Sequence, residues 1–483
     1  MRIVQFSRMY HVHYPQKKKD VDMLNGNVFV KMLVYTIPLM LSGILQLLFN
    51  TADVIVVGKF AADGTTALAA VGSTGSLTNL IIGFFLGLSV GTCVVLSRKL
   101  GQNDGAGASD EVHTAILTRL IIGLFLAVVG ISFAPIFLRW MNTPENVLKW
   151  SALYMRIYFI GLPMSMLYNF GSAVMRAKGD TQYPLTVLVV AGITNVILNL
   201  ITVIGFHMDV AGVAIATVAS QTVSAVMVLV HLAKMDDCCR FIPRKLRLDK
   251  KTFVMIARIG IPAGLQSVMF SLSNVILQSA VNSLGDVAMA GNTAAGNIDG
   301  YIYTACNSVY HASLAFTGQN LGAGKVKRIK KVCISGMSLV TMIGLVLGVT
   351  AILLRIPLLN LYVGAGVENR EAIIENGELR LYITALTYFL CGLMEVASGL
   401  LRGLGDSVTP MIISLIGSCV FRIMWVEFAF RRISDLHNLF GLFISYPVSW
   451  LLTSAAEFIA FFIVYHRIWR NHKKSTSANL ANE

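Results

Sequence analysis

Between residues 32 and 57 the chain carries one charged side chain, Asp53, in an otherwise apolar run. About 20 apolar residues suffice for a helix to cross a bilayer core roughly 30 Å thick. The run therefore predicts a membrane-spanning helix. Its polar positions are ordered. Ser42, Gln46, Asn50 and Asp53 follow at steps of four, four and three, which is one stripe along one helix face. Pro38, one turn before Ser42, predicts a kink near the start. A stripe ending in a carboxylate does not face lipid. It belongs against a water-filled cavity or other helices, and an ionisable group there marks function.

The pattern recurs. Twelve apolar segments lie near 32–57, 67–96, 112–138, 154–175, 184–206, 209–233, 255–283, 286–318, 332–354, 380–401, 408–430 and 440–466. The second and eighth are long enough to tilt strongly or extend past the bilayer. The chain reads as an all-α polytopic membrane protein.

It also repeats itself. Arg176-Ala-Lys-Gly179-Asp180-Thr181-Gln-Tyr-Pro184 returns 226 residues later as Arg402-Gly-Leu-Gly405-Asp406-Ser407-Val-Thr-Pro410. Ile37-Pro38 answers Ile261-Pro262 at 224 residues, and Leu100-Gly101 answers Leu321-Gly322 at 221. Near-constant offsets argue for duplication. Each half holds six helices, an even number, so both enter the membrane in the same direction. That predicts a parallel repeat with the substrate path between the halves. The expected organisation is a cytoplasmic tail over 1–31, a six-helix lobe over 32–233, a basic linker over 234–252, a second lobe over 253–467 and a tail over 468–483.

Composition agrees. The chain is 55% hydrophobic and 13% charged, against about 25% charged in soluble domains. The net charge of +14 is accordingly not a nucleic-acid signal. Lys and Arg number 27 in the tails and the loops on their side, and 8 in the opposite loops. This bias places both termini in the cytoplasm and the protein in the cell membrane. Residues 1–30 lack an apolar core, so no cleavable signal peptide is expected, and Met23 could serve as an alternative start. Seven cysteines include no CxxC, only the adjacent pair Cys238-Cys239, so the spacing supports neither a disulfide framework nor a zinc site.

Candidate chemistry in the first half sits at one depth. At about 1.5 Å rise per residue, Asp53, Asn195, Asn199 and Thr217 all fall in the outer half of their helices. One acid, two amides and a hydroxyl offer hard oxygen ligands for a cation and hydrogen-bond partners for a carboxyl group. In the second half, position 277, the repeat mate of Asp53, is Leu. There the intramembrane charges are Asp299, Glu395 and Arg422, read as a cluster that either holds the lobe together or binds substrate.

These residues resemble the multidrug and toxic compound extrusion (MATE) family of cation-coupled antiporters. The resemblance rests on Pro38 and Thr51-Ala-Asp53, on Leu68-Ala-Ala-Val-Gly72, on Gly318-Gln-Asn-Leu-Gly-Ala-Gly324 and on the repeated R-x-x-G-D-[ST]-x-x-P loops, and it covers about 30–467. It implies a two-lobed, twelve-helix transporter that exports cationic or amphipathic small molecules in exchange for H⁺ or Na⁺ by alternating access. It also implies that Asp53, Asn195, Asn199 and Thr217 occupy the family's first-lobe cation site. This chain departs from the archaeal-type pattern, which has Asp where Asn199 stands. That leaves Asp53 as the one carboxylate and favours a proton over Na⁺. No cofactor, metal, nucleic acid or obligate partner subunit is expected.

Gly322-Ala-Gly-Lys325 is followed by Val326, so it is not a phosphate-binding loop, and ATP-driven pumping is unsupported. His113, His207, His231, His311 and His437 form no metal-ligand spacing. Two rivals remain. A flippase of related fold for a lipid-linked sugar would favour more helices and a cationic cavity. A membrane-embedded enzyme would need paired catalytic groups at one depth, and none is visible.

Overall fold

The apolar periodicity becomes helix along nearly the whole chain. The computed structural model describes residues 20–60, 64–141, 143–364 and 366–481. The first six long helices are Val28–Phe60, Gly64–Gly101, Gly105–Trp140, Glu145–Lys178, Gln182–Gly205 and Asp209–Ala233. The seventh to ninth are Lys250–Asn282, Asp286–Gly322 and Val326–Leu353. The tenth is broken into Arg370–Thr384 and Tyr388–Gly403, bent by 46°. The eleventh and twelfth are Val408–Phe430 and Leu439–Lys474. No strand occurs among the described residues.

Among the described residues ten helices are long and apolar enough to cross a membrane, and the bent pair, taken as one span, makes an eleventh. The eighth is 37 residues long but rich in Asn, Thr, Ser and Gly. It is buried by protein rather than by lipid. On the third helix, Ile121, Leu124, Phe125 and Val128 are each more than half exposed. Such an apolar stripe on an outer face is what hydrocarbon covers.

The repeated loops explain themselves. Gly179 and Gly405 take φ of +105° and +93°, the left-handed geometry that ends a helix. The Asp180 carboxylate then accepts from the backbone N–H groups of Gln182 and Tyr183 at 3.1 and 3.0 Å. Asp406 does the same for Thr409 at 3.1 Å. One motif stops a helix and starts the next.

The two six-helix bundles meet where the second helix crosses the seventh. A Cβ on Gly87 would lie 2.3 Å from the Gly264 nitrogen. Only bare backbone allows that approach. Near the basic end, Gln319 donates to the Ala177 carbonyl at 2.7 Å, tying the eighth helix to the fourth.

Residues 20–27 lie across this seam as a strap. The Val21 N–H donates to the Gly179 carbonyl at 3.1 Å, on the first bundle. On the second, Asn320 donates to the Met23 carbonyl at 3.1 Å and Lys325 to the Leu24 carbonyl at 3.0 Å. Arg328 donates to the carbonyls of Asn25 and Gly26 at 2.8 and 2.9 Å. Met23 is fully buried. Lys178 holds Asp237 at 2.5 Å and Asp20 at 3.7 Å. Burial pushes the Asp20 carboxyl above its ordinary range, against the pull of Lys178. The Lys17-Lys18-Lys19 run lies outside the described residues.

Candidate functional site

The first and fifth helices leave the basic end side by side. Gly192 is what lets them touch: a Cβ there would fall 1.9 Å from the Phe49 ring. One turn beyond Phe49 comes Asp53; one and two turns beyond Gly192 come Asn195 and Asn199. The Asn199 Nδ2 donates to Asp53 Oδ1 at 2.5 Å and to Asn195 Oδ1 at 3.2 Å. Asn195 and Asn199 are buried. The Asn199 Oδ1 is also buried and has no hydrogen-bond partner among the described residues. Immediately after Asn199 the helix widens into a π turn over Leu200–Gly205, a distortion frequent at functional positions.

The walls are dry. Val56, Ala70, Val203, Val210 and Val213 form one apolar cluster, with Tyr154 packed against it. Tyr154 stacks on Tyr158, ring centroids 6.3 Å apart. The sequence pattern passed over Tyr154; a hydroxyl-bearing aromatic on an apolar helix was its only signal. Thr217, expected in this group, bonds within its own helix. Its hydroxyl donates to the Val213 carbonyl at 2.9 Å.

The polar stripe keeps its face. Ser42 donates to the Pro38 carbonyl at 2.8 Å. Gln46 and Asn50 are exposed. The exposed apolar residues Ile37, Leu41, Leu48 and Ile55 fall on the opposite side of the same helix. Lipid and polar stripe are thus separated.

The expected grouping of Asp299, Glu395 and Arg422 divides. Asp299 pairs with Arg380 at 2.9 Å, with side chains 2% and 12% exposed, and accepts from Thr384 at 3.0 Å. Arg380 also donates to Asn292, which bonds Gln278 at 3.0 Å. Sequence counting placed Arg380 in an outer loop. It lies inside the first piece of the tenth helix, because that helix begins ten residues earlier than its apolar stretch. Arg422 bonds Ser449 at 2.9 Å and lies over the rings of Tyr446 and Trp450 at 4.5 and 5.6 Å. Its neighbours on the chain also form π turns, Leu415–Val420 and Trp425–Phe430.

Glu395 instead belongs with a network nearer the basic end. It meets Asn307 at 3.5 Å and interacts electrostatically with Arg402. Arg402 donates to Tyr310 and Gln266 at 2.5 and 2.6 Å. Gln266 continues to Ser414 at 3.1 Å. Ser414 and Ser398 donate to Glu457 at 2.7 and 2.9 Å. Glu457 is a third intramembrane acid that the apolar reading of the twelfth helix overlooked, although it stands plainly between Ala456 and Phe458.

Comparison with known proteins gives one family. The MatE family model matches residues 38–201 and again 262–426, an offset that reproduces the internal repeat. "Probable multidrug resistance protein YoeA" of Bacillus subtilis is 28% identical, covering 92% of this chain and 95% of its own length. An "FAD transporter" of Shewanella oneidensis is 23% identical over 91% of this chain and 95% of its own. A solved structure described as "Outward-facing conformation of a multidrug resistance MATE family transporter of the MOP superfamily" superposes with a TM-score of 0.86 at 21% identity. It covers 94% of this chain and 100% of the other.

Proposed function

The chain belongs to the MatE family of multidrug efflux transporters, and from that premise we propose a secondary active antiporter that exports cationic or amphipathic small molecules in exchange for H⁺. The observation that carries this reading is the contact of Asp53 with Asn199 and Asn195 in an apolar setting. A single carboxylate matches a single proton. The Asn199 amide donates to the charged form, and its unpartnered Oδ1 can accept from the neutral form after an amide flip. Both charge states therefore have a partner. Na⁺ at the same oxygens is the competing ion.

Alternating access follows if proton and substrate prefer different arrangements of the two bundles, since a ligand shifts an equilibrium only by its differential affinity. Under this reading the protein works as a monomer in the cell membrane. The strap and both termini face the cytoplasm, as the charge bias supports. Substrates pass between the bundles, along Gln46 and Asn50.

The test is transport of a cationic dye in proteoliposomes with H⁺ and Na⁺ gradients imposed separately. Asp53→Asn is close in volume and preserves insertion. It should abolish H⁺-driven efflux and remove the pH dependence of substrate binding. Unchanged pumping by that variant rules the site out. Wild-type transport that follows only Na⁺ keeps the site and replaces the ion.

A further inference from the structure

We propose that Asp237, Cys238 and Cys239 form a binding site for a soft divalent metal ion of the Zn²⁺ or Cd²⁺ class. The linear spacing of the cysteines gave no such indication; the adjacent Asp237 adds a third ligand and the fold supplies the turn. One ligand atom from each of the three residues lies within 4.8 Å of the others. Thiolate and carboxylate ligands sit about 2.0–2.3 Å from such an ion, so closing on it requires only a small contraction.

The turn is already built. The Cys239 N–H donates to Asp237 Oδ1 at 2.9 Å. The N–H groups of Arg240 and Phe241 return to the carbonyls of Asp237 and Leu232, both at 3.0 Å. Cys239 is buried and Cys238 is half-buried, so the pair is anchored on one side and reachable on the other. Without metal, Lys178 balances the carboxylate at 2.5 Å. Asp20 lies 3.7 Å from the same ammonium. A metal can therefore take Asp237 without stranding the lysine, which falls back on the strap. Binding releases the two thiol protons to solvent, so one dication replaces two protons.

The remaining five cysteines, Cys93, Cys306, Cys333, Cys391 and Cys419, are buried within long helices, which makes the test selective. Reduced full-length protein in detergent is loaded with CdCl₂ or ZnCl₂, desalted and assayed for bound metal. One tightly held equivalent is expected, with a thiolate-to-cadmium charge-transfer band. Cys238→Ser with Cys239→Ser should remove both. Asp237→Asn should keep the band and weaken binding at least by the roughly tenfold that outer-shell changes alone produce. In the unmutated protein, Cd²⁺ should protect Cys238 from maleimide labelling. Absence of stoichiometric metal, or maleimide labelling untouched by Cd²⁺, overturns the assignment.

Discussion

At the scale of single residues, the position of Asp53 is decided by Phe49 and Gly192, one turn earlier. Any Cβ at 192 must move that ring. We expect Gly192→Val to strain the helix pair by about 1–3 kcal/mol and to cut H⁺-driven dye efflux severely. Adding Phe49→Ala should restore part of it, measured in the same vesicles. The Asp299–Arg380 pair is a second residue-scale case, with Asp299 buried and Arg380 mostly so. Removing one partner of a buried pair typically destabilises by about 3–5 kcal/mol. Asp299→Leu should lower the melting temperature in detergent more than Asp299→Leu with Arg380→Met. Asp53, Asn195 and Asn199 were legible in the sequence because helical spacing fixes which residues share a face. Thr217 shared the depth but not the contact, since a hydroxyl in a helix readily bonds its own backbone. Arg380 was hidden by its neighbours: Glu371, Glu375, Glu378 and Arg380 together read as a solvated loop.

Among the elements, the existence of nearly every long helix was visible as an apolar run, and the irregular stretches were not. The break in the tenth helix has neither Pro nor Gly at residues 385–387. Two threonine hydroxyls, Thr384 and Thr387, flank it. The Thr384 hydroxyl, shared with Asp299, lies 2.8 Å from the Arg380 carbonyl, and Thr387 donates to the Ile383 carbonyl at 2.6 Å, contacts of a kind that bend helices. The π turns at Leu200–Gly205 and Trp425–Phe430 likewise carry no sequence mark, yet they recur at the repeat offset. The strap was read as a plain tail because polar residues 20–27 show no period. Its order comes from Asn320, Lys325 and Arg328, about 300 residues away. Arg328→Ala with Lys325→Ala should free it. We expect faster proteolysis at residues 20–27 and a melting temperature lower by several degrees, while dye binding at Asp53's end persists.

For the molecule as a whole, duplication was readable from three sequence landmarks, and the glycine crossing of the second and seventh helices is the packing that joins the copies. Transport by alternating access requires that the seam at the basic end open. Ser97 and Gly318 face each other across it, a Cβ at 318 lying 3.0 Å from the Ser97 Cβ. Disulfides accept Cβ separations of about 3.5–4.5 Å, within a small adjustment. Ser97→Cys with Gly318→Cys should cross-link on oxidation and stop transport, and reduction should restore it. Substrate uptake by a cross-linked protein that still cycles would show that this seam does not move.

The strap also bears on how the chain is assembled. Residues 20–27 are made about 300 residues before their partners at positions 320, 325 and 328. Until then the Met23 and Leu24 carbonyls lack these donors. The burial of Met23 belongs to the joined molecule, and a chain truncated after the sixth helix, which keeps the Val21–Gly179 bond but lacks Asn320, Lys325 and Arg328, should leave residues 23–27 open to proteases.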